Sequence, residues 1–139
     1  TDDGLGLDRY AEADVIVTGG SRVGKTPTCL YLAMQYGIRA ANFPLTSEIL
    51  DERKFSDVLE INSDRLFGLT IDPVQLFQIR QKRRPDSGYA SLEKCASEVE
   101  IAEWLFRRKR VPVLDTTVRS IEEISATILE QANLNRRLS

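Results

Sequence analysis

The sequence predicts an α/β domain: a parallel sheet of about four or five strands with helices on both faces. Three observations predict it. Short apolar runs rich in β-branched residues alternate with longer segments of helical period. Helix-start signals follow several of the strands where hairpin turns would otherwise stand. A chain of 139 residues, 42% hydrophobic and 29% charged, suits a single globular domain.

Residues 1–12 carry Gly and Asp without periodicity and read as a linker or domain-edge segment; the domain itself is expected over 13–132. Asp14 to Thr18 (DVIVT) is a buried strand. Thr26 to Tyr36 is a helix with Leu30, Leu32, Ala33 and Met34 as its apolar residues, ended by Gly37. Ile38 to Phe43 is a weaker strand stopped by Pro44, and the acidic stretch after it reads as a helical turn and loop. Leu66 to Ile71 is a third strand. The next helix has Asp72 as N-cap, Pro73 at its first position and Gln75 placed to complete a capping box, and runs to about Arg80. A basic, turn-rich loop (KRRPDSG) leads to a long helix from about Ala90 to Lys109. Its stripe is Leu92, Cys95, Ala96, Val99, Ala102 and Phe106. Val111 to Leu114 is a fourth strand. Ser120 and Glu123 form a capping box for a last helix with Ile121, Ile124 and Ile128 inward. The polar tail, 133–139, is expected to fray.

Composition excludes several chemistries. The chain has no histidine, which removes a Ser-His-Asp triad, a Cys-His dyad, a zincin helix and a phosphohistidine carrier. A net charge of −2 offers no global field for nucleic acid or membrane, and no run of 18 apolar residues could span a bilayer. Cys29 and Cys95 have no CxxC or metal-ligand spacing and read as small apolar residues of a reducing compartment. Without a signal peptide, a cytoplasmic location is expected. The first residue is not Met, which suggests a piece of something longer.

The chemistry-bearing string is Gly19-Gly20-Ser21-Arg22-Val23-Gly24-Lys25-Thr26, which fits GxxxxGK[ST] between a strand and a helix. Glycines let the backbone curl so that several N–H groups face one phosphate, and the helix N-terminus adds partial positive charge. Lys25 is a point charge for the outer phosphates, and the Thr26 hydroxyl is a Mg²⁺ ligand in this pattern. A tight structural turn is the bland alternative. Pro27 has no N–H to give to an α-phosphate. The fold expected is therefore a P-loop-type sheet, with ligands at the carboxyl ends of its strands.

Asp115 ends the fourth strand, where it suits a base or a Mg²⁺ contact, or caps a turn with Thr116 and Thr117. Asp72 ends the third strand, and its capping role is compatible with a catalytic one. Arg80, Lys82, Arg83 and Arg84 read either as a mobile lid bringing cations to phosphate or as a solvated basic surface. Arg107, Arg108, Lys109 and Arg110 suit the helix C-terminal dipole. No broad basic face with aromatics marks a nucleic-acid site, and Trp104 reads as core.

The string GGSRVGKTPTCLYLA resembles the pyruvate, phosphate dikinase / phosphoenolpyruvate synthase regulatory protein family. Gly19, Ser21, Arg22, Lys25, Thr26 and Pro27 match its GxSRxxKTP loop, so Pro27 is a family feature. FGLTIDP, YAS, LDTT and SIEEI are further family-like segments, and YLAMQYGIRAANFPL is closer to the bacterial phosphoenolpyruvate synthase branch. Gly88 departs from the Arg expected before YAS. The resemblance implies a bifunctional regulator. It would phosphorylate a threonine of its target enzyme with ADP, and remove that phosphate with inorganic phosphate, releasing pyrophosphate. ADP, phosphate and Mg²⁺ are the ligands so implied, the target enzyme is the protein partner, and a homodimer is compatible with it. Asp115, Asp72, Lys25 and Arg22 are then the catalytic candidates. Two other classes fit the same residues: a P-loop small-molecule kinase and a nucleotide-sensing module without catalysis.

Overall fold

The run Val15–Gly19 is buried along its whole length and forms β1. In a computed structural model, which describes residues 10–83 and 91–138, β1 is an inner strand of a four-stranded sheet. β2 (Ala40–Pro44), β3 (Leu66–Thr70) and β4 (Val113–Asp115) complete it in the order β2-β1-β3-β4. Every neighbouring pair is parallel. The two inner strands are buried on both faces, which is why VIVTG and LFGLT read as continuous apolar runs without alternation.

Side-chain alternation splits the core in two. Val15, Val17, Phe67 and Leu69 face one layer, with Leu32 of α1 (Lys25–Tyr36), Leu76 of α4 (Pro73–Arg83) and Ile124 and Ile128 of α6 (Ile121–Leu138). Ile16 and Leu66 face the other. There they meet Leu50 of α2 (Ser47–Glu52), Leu59 of α3 (Asp57–Ile61), Phe55, and Leu105 and Phe106 of α5 (Leu92–Arg108). Gly68 lets α5 approach β3: a Cβ there would sit 2.7–2.8 Å from three atoms of the Phe106 ring. Helices thus lie on both faces, as expected.

Local signals are realised closely. Gly37 caps α1 in the left-handed region. Ser120 and Glu123 form a reciprocal capping box, each backbone N–H bonded to the other's side chain at 2.9 and 3.1 Å. Asp72 Oδ2 accepts from the N–H groups of Val74 and Gln75. The second half of that expected box is replaced, because the Asp72 N–H donates to Thr117 Oγ1 at 2.7 Å. Asp72 is therefore tied to the β4–α6 turn instead of to Gln75.

Other expectations are corrected. Leu30 and Met34 are 57% and 80% exposed, since α1 buries only the stripe through Lys25, Thr28, Cys29 and Leu32. Leu92 is exposed, and Leu105, three residues after Ala102, is a buried member of the α5 stripe that the expected set leaves out. The acidic stretch holds two short helices and the 3-10 turn Ser63–Arg65. α6 continues to Leu138, so its backbone is helical through most of the tail expected to fray. Of the edge segment, Tyr10 is packed: its ring lies 5.2 Å from that of Phe43 and its hydroxyl donates to the Asn42 carbonyl. Both cysteines are buried and neither is in a disulfide. No helix among the described residues is long and apolar enough to cross a membrane.

Candidate phosphate-binding site

Between β1 and α1 the chain turns sharply. A Cβ on Gly19 would stand 2.8 Å from the Leu69 carbonyl, so the end of β1 can lie against β3 only with glycine there. Val23 is buried and pins the loop to the core, and Gly24 enters α1 at φ +106°. Arg22 is left-handed at φ +69°, an uncommon state for a residue with a Cβ. Gly24 provides no side-chain cap, so the first N–H groups of α1 keep their partial positive charge for a ligand. Pro27 stands in the first turn without an N–H, one donor fewer than a standard loop.

Lys25 is only 7% exposed and its Nζ donates to the Gly20 carbonyl across the loop. Burial lowers its pKa from 10.5 to about 8; Cys29 opposes that shift, and the cations Arg80 and Arg22 add to it. The ammonium therefore waits, poorly solvated and among other positive groups, for a negative partner. A pocket of about 690 Å³ opens in front of it. Ser21, Arg22, Gly24 and Thr26 line it from the loop, with Asn42 of β2 and Arg83 of α4.

The structure does not bring all the expected site residues to this pocket. Asp72 and Asp115 line a second one of about 900 Å³, with Glu93, Glu100 and Glu103, and none of the described residues lines both. Asp115 stands on the edge strand, and its Oδ1 accepts from the Thr117 N–H at 2.8 Å, so the turn-capping role is realised. Thr116, between Asp115 and Thr117 in the chain, has its methyl 4.0 Å from where a Gly24 Cβ would be. Thr26 and Asp115, the two Mg²⁺ candidates, are thus in different pockets. Arg80 is not on a lid: it is fully buried beneath the loop. Arg83 does face the loop pocket, whereas Arg84 and the rest of the expected lid up to Gly88 lie outside the described residues.

Asn42 was missed by sequence reasoning. Its Nδ2 donates to Thr26 Oγ1 at 2.9 Å, and its buried Oδ1 has no partner. The signal was present: a polar residue near the carboxyl end of the strand beside β1, in an otherwise apolar run. The orphaned amide oxygen next to the Thr26 hydroxyl is an oxygen donor set that fits a hard cation. Among the described residues no three carboxylate or thiol side chains are grouped to hold a metal.

Residues 1–129 match the family model described as kinase/pyrophosphorylase. The chain is 52% identical to a Marinobacter nauticus protein over 135 residues, 97% of this chain and 50% of that protein. It is 55% identical to a Laribacter hongkongensis protein over 136 residues, 98% of this chain and 50% of that protein. Both relatives bear the provisional name phosphoenolpyruvate synthase regulatory protein. The chain spans about half the length of the curated relatives it matches.

Proposed function

The chain belongs to the kinase/pyrophosphorylase family, and on that premise we propose that it carries the nucleotide site of a bifunctional regulator of phosphoenolpyruvate synthase. The target follows the relatives' names; pyruvate, phosphate dikinase is the alternative target. The observation that carries the reading is the buried Lys25, set among the loop N–H groups and the α1 N-terminus and facing an open pocket.

In the forward reaction a threonine hydroxyl oxygen of the target attacks the β-phosphorus of ADP. The bond from that phosphorus to the bridging oxygen breaks and AMP leaves. Lys25 and Arg22 hold the charge that builds on the transferred group. The target threonine bridges the two pockets: its hydroxyl proton passes to Asp115, whose carboxylate is oriented by the Thr117 N–H, with Asp72 assisting from the N-terminus of α4 in the same pocket. In the reverse reaction a phosphate oxygen attacks the phosphothreonine. The threonine oxygen regains a proton and pyrophosphate leaves. The Thr26 hydroxyl and the Asn42 amide oxygen would hold Mg²⁺, which when bound would supply charge neutralisation at the phosphates.

Incubating the chain with β-labelled ADP and purified phosphoenolpyruvate synthase is expected to label a threonine of the enzyme, and added phosphate to release the label as pyrophosphate. Transfer to a metabolite with none to the protein would reject this function. Asp115→Asn keeps shape and removes charge. It is expected to lower both reactions by about a hundredfold or more while changing ADP affinity less than about threefold. One reaction surviving at full rate would mean two separate catalytic groups.

A further inference from the structure

Behind the phosphate loop, α4 and α5 meet on a side chain that the proposed reaction does not use. Arg80 has no exposed surface, a rare state for arginine unless it is paired. One of its terminal nitrogens, Nη2, donates to the Ser21 carbonyl at 3.0 Å and to Glu98 Oε1 at 2.8 Å. The other, Nη1, lies 3.9 Å from Cys95 Sγ. A Cβ on Gly20 would fall 3.9 Å from the same Nη2, so two successive loop residues rest against the guanidinium. The cavity beside it, about 10 Å³, has room for at most one water molecule. An apolar side chain would fill this place without the desolvation cost of a buried ion pair. The cation is therefore better explained by what it does to the loop than by packing.

What it does follows from peptide geometry. In a trans peptide the C=O and the next N–H point in opposite directions. A Ser21 carbonyl drawn back toward α4 turns the Arg22 N–H forward, away from the helix. Arg22 accepts the left-handed state that this turn requires, an unfavourable one for a residue with a Cβ.

We propose that Arg80 is a positioning residue for phosphate binding: it tethers the Ser21 carbonyl from behind, so that the loop N–H groups stay turned toward the pocket. Glu98 fixes the guanidinium in place. The proposal rests on the reading of this loop as the ADP site, and the experiment separates the two.

ADP binding is measured by calorimetry at pH 7 for the wild-type chain, for Lys25→Met, for Arg80→Lys and for the paired change Arg80→Met with Glu98→Gln, and the shift of the Arg22 amide signal on adding ADP is followed by NMR in each. Arg80→Lys keeps the charge, but its shorter stem cannot hold the Ser21 carbonyl and Glu98 together as Nη2 does, so it is expected to bind about tenfold more weakly and to lose most of the Arg22 amide shift. The paired variant is expected to bind at least tenfold more weakly, with the same loss of the amide shift. Should the paired variant not fold, Arg80→Lys alone decides. Wild-type affinity in Arg80→Lys, or a wild-type Arg22 amide shift in a folded paired variant, overturns the tether. Absence of ADP binding by the wild type, or unchanged binding by Lys25→Met, rejects the ADP site itself and the tether with it.

Discussion

Lys25→Met is expected to weaken ADP binding by about 10- to 150-fold while making the nucleotide-free protein more stable at neutral pH. The binding loss follows from one charge-assisted hydrogen bond, worth roughly 1.5–3 kcal/mol. The stability gain follows from the pKa. Folding lowers it from 10.5 to about 8, chiefly by burial, so below pH 8 the folded state carries an ammonium that it holds less well than water does. That penalty is about 3 kcal/mol, from roughly 1.4 kcal/mol per pKa unit. It is fully present below pH 8 and is relieved as pH rises toward 10.5, where the unfolded chain also loses the proton. Methionine keeps the stem and removes the charge. Allowing about 1 kcal/mol for the lost bond to the Gly20 carbonyl, a gain of about 1–3 kcal/mol is expected at pH 7, shrinking toward zero by pH 10. Urea unfolding at the two pH values measures it. A variant less stable than wild type at pH 7 would show that the loop draws stability from its lysine.

The second large effect is expected in the core. Gly68→Ala places a methyl group 2.7–2.8 Å from the Phe106 ring, which is itself fully buried between α5 and β3. Neither backbone nor ring has room to yield, so the cost should lie near the top of the overpacking range, about 3 kcal/mol. Phe106→Leu in the same chain removes the ring edge and should recover about 1 kcal/mol or more relative to Gly68→Ala alone, a coupling visible in a double-mutant cycle. Additive losses would place the strain elsewhere.

What could be read from the sequence was local. Gly37, Asp72 and the Ser120–Glu123 pair act within one helical turn, and each end they mark is where the chain turns. The phosphate loop was legible because its residues are contiguous. What was not legible depends on neighbours distant in the chain. Arg80 lies four residues after the buried Leu76, on the same stripe of α4, yet its charge argued for a surface. Glu98, from the next helix, and Ser21, from the loop, make its burial tolerable. Leu30 and Met34 failed in the opposite sense: their apolarity suggested core, but α1 turns them outward. Asp72 and Asp115 were expected to converge and do share a pocket, but strand order sets that pocket apart from Lys25.

The arrangement of the sheet also governs how the chain can assemble. Ile16 pairs with Leu66, and Thr70 with Asp115. Only β2 reaches β1 early; no hairpin joins any two neighbours, and each later strand must close a long loop before its contacts count. During synthesis β1 leaves the ribosome long before β3, and until β3 arrives one of its hydrogen-bonding edges and both of its apolar faces lack their full cover. Folding is therefore expected to be late and nearly all-or-none, with the completed phosphate loop appearing only when β3 docks and the Leu69 carbonyl closes over Gly19.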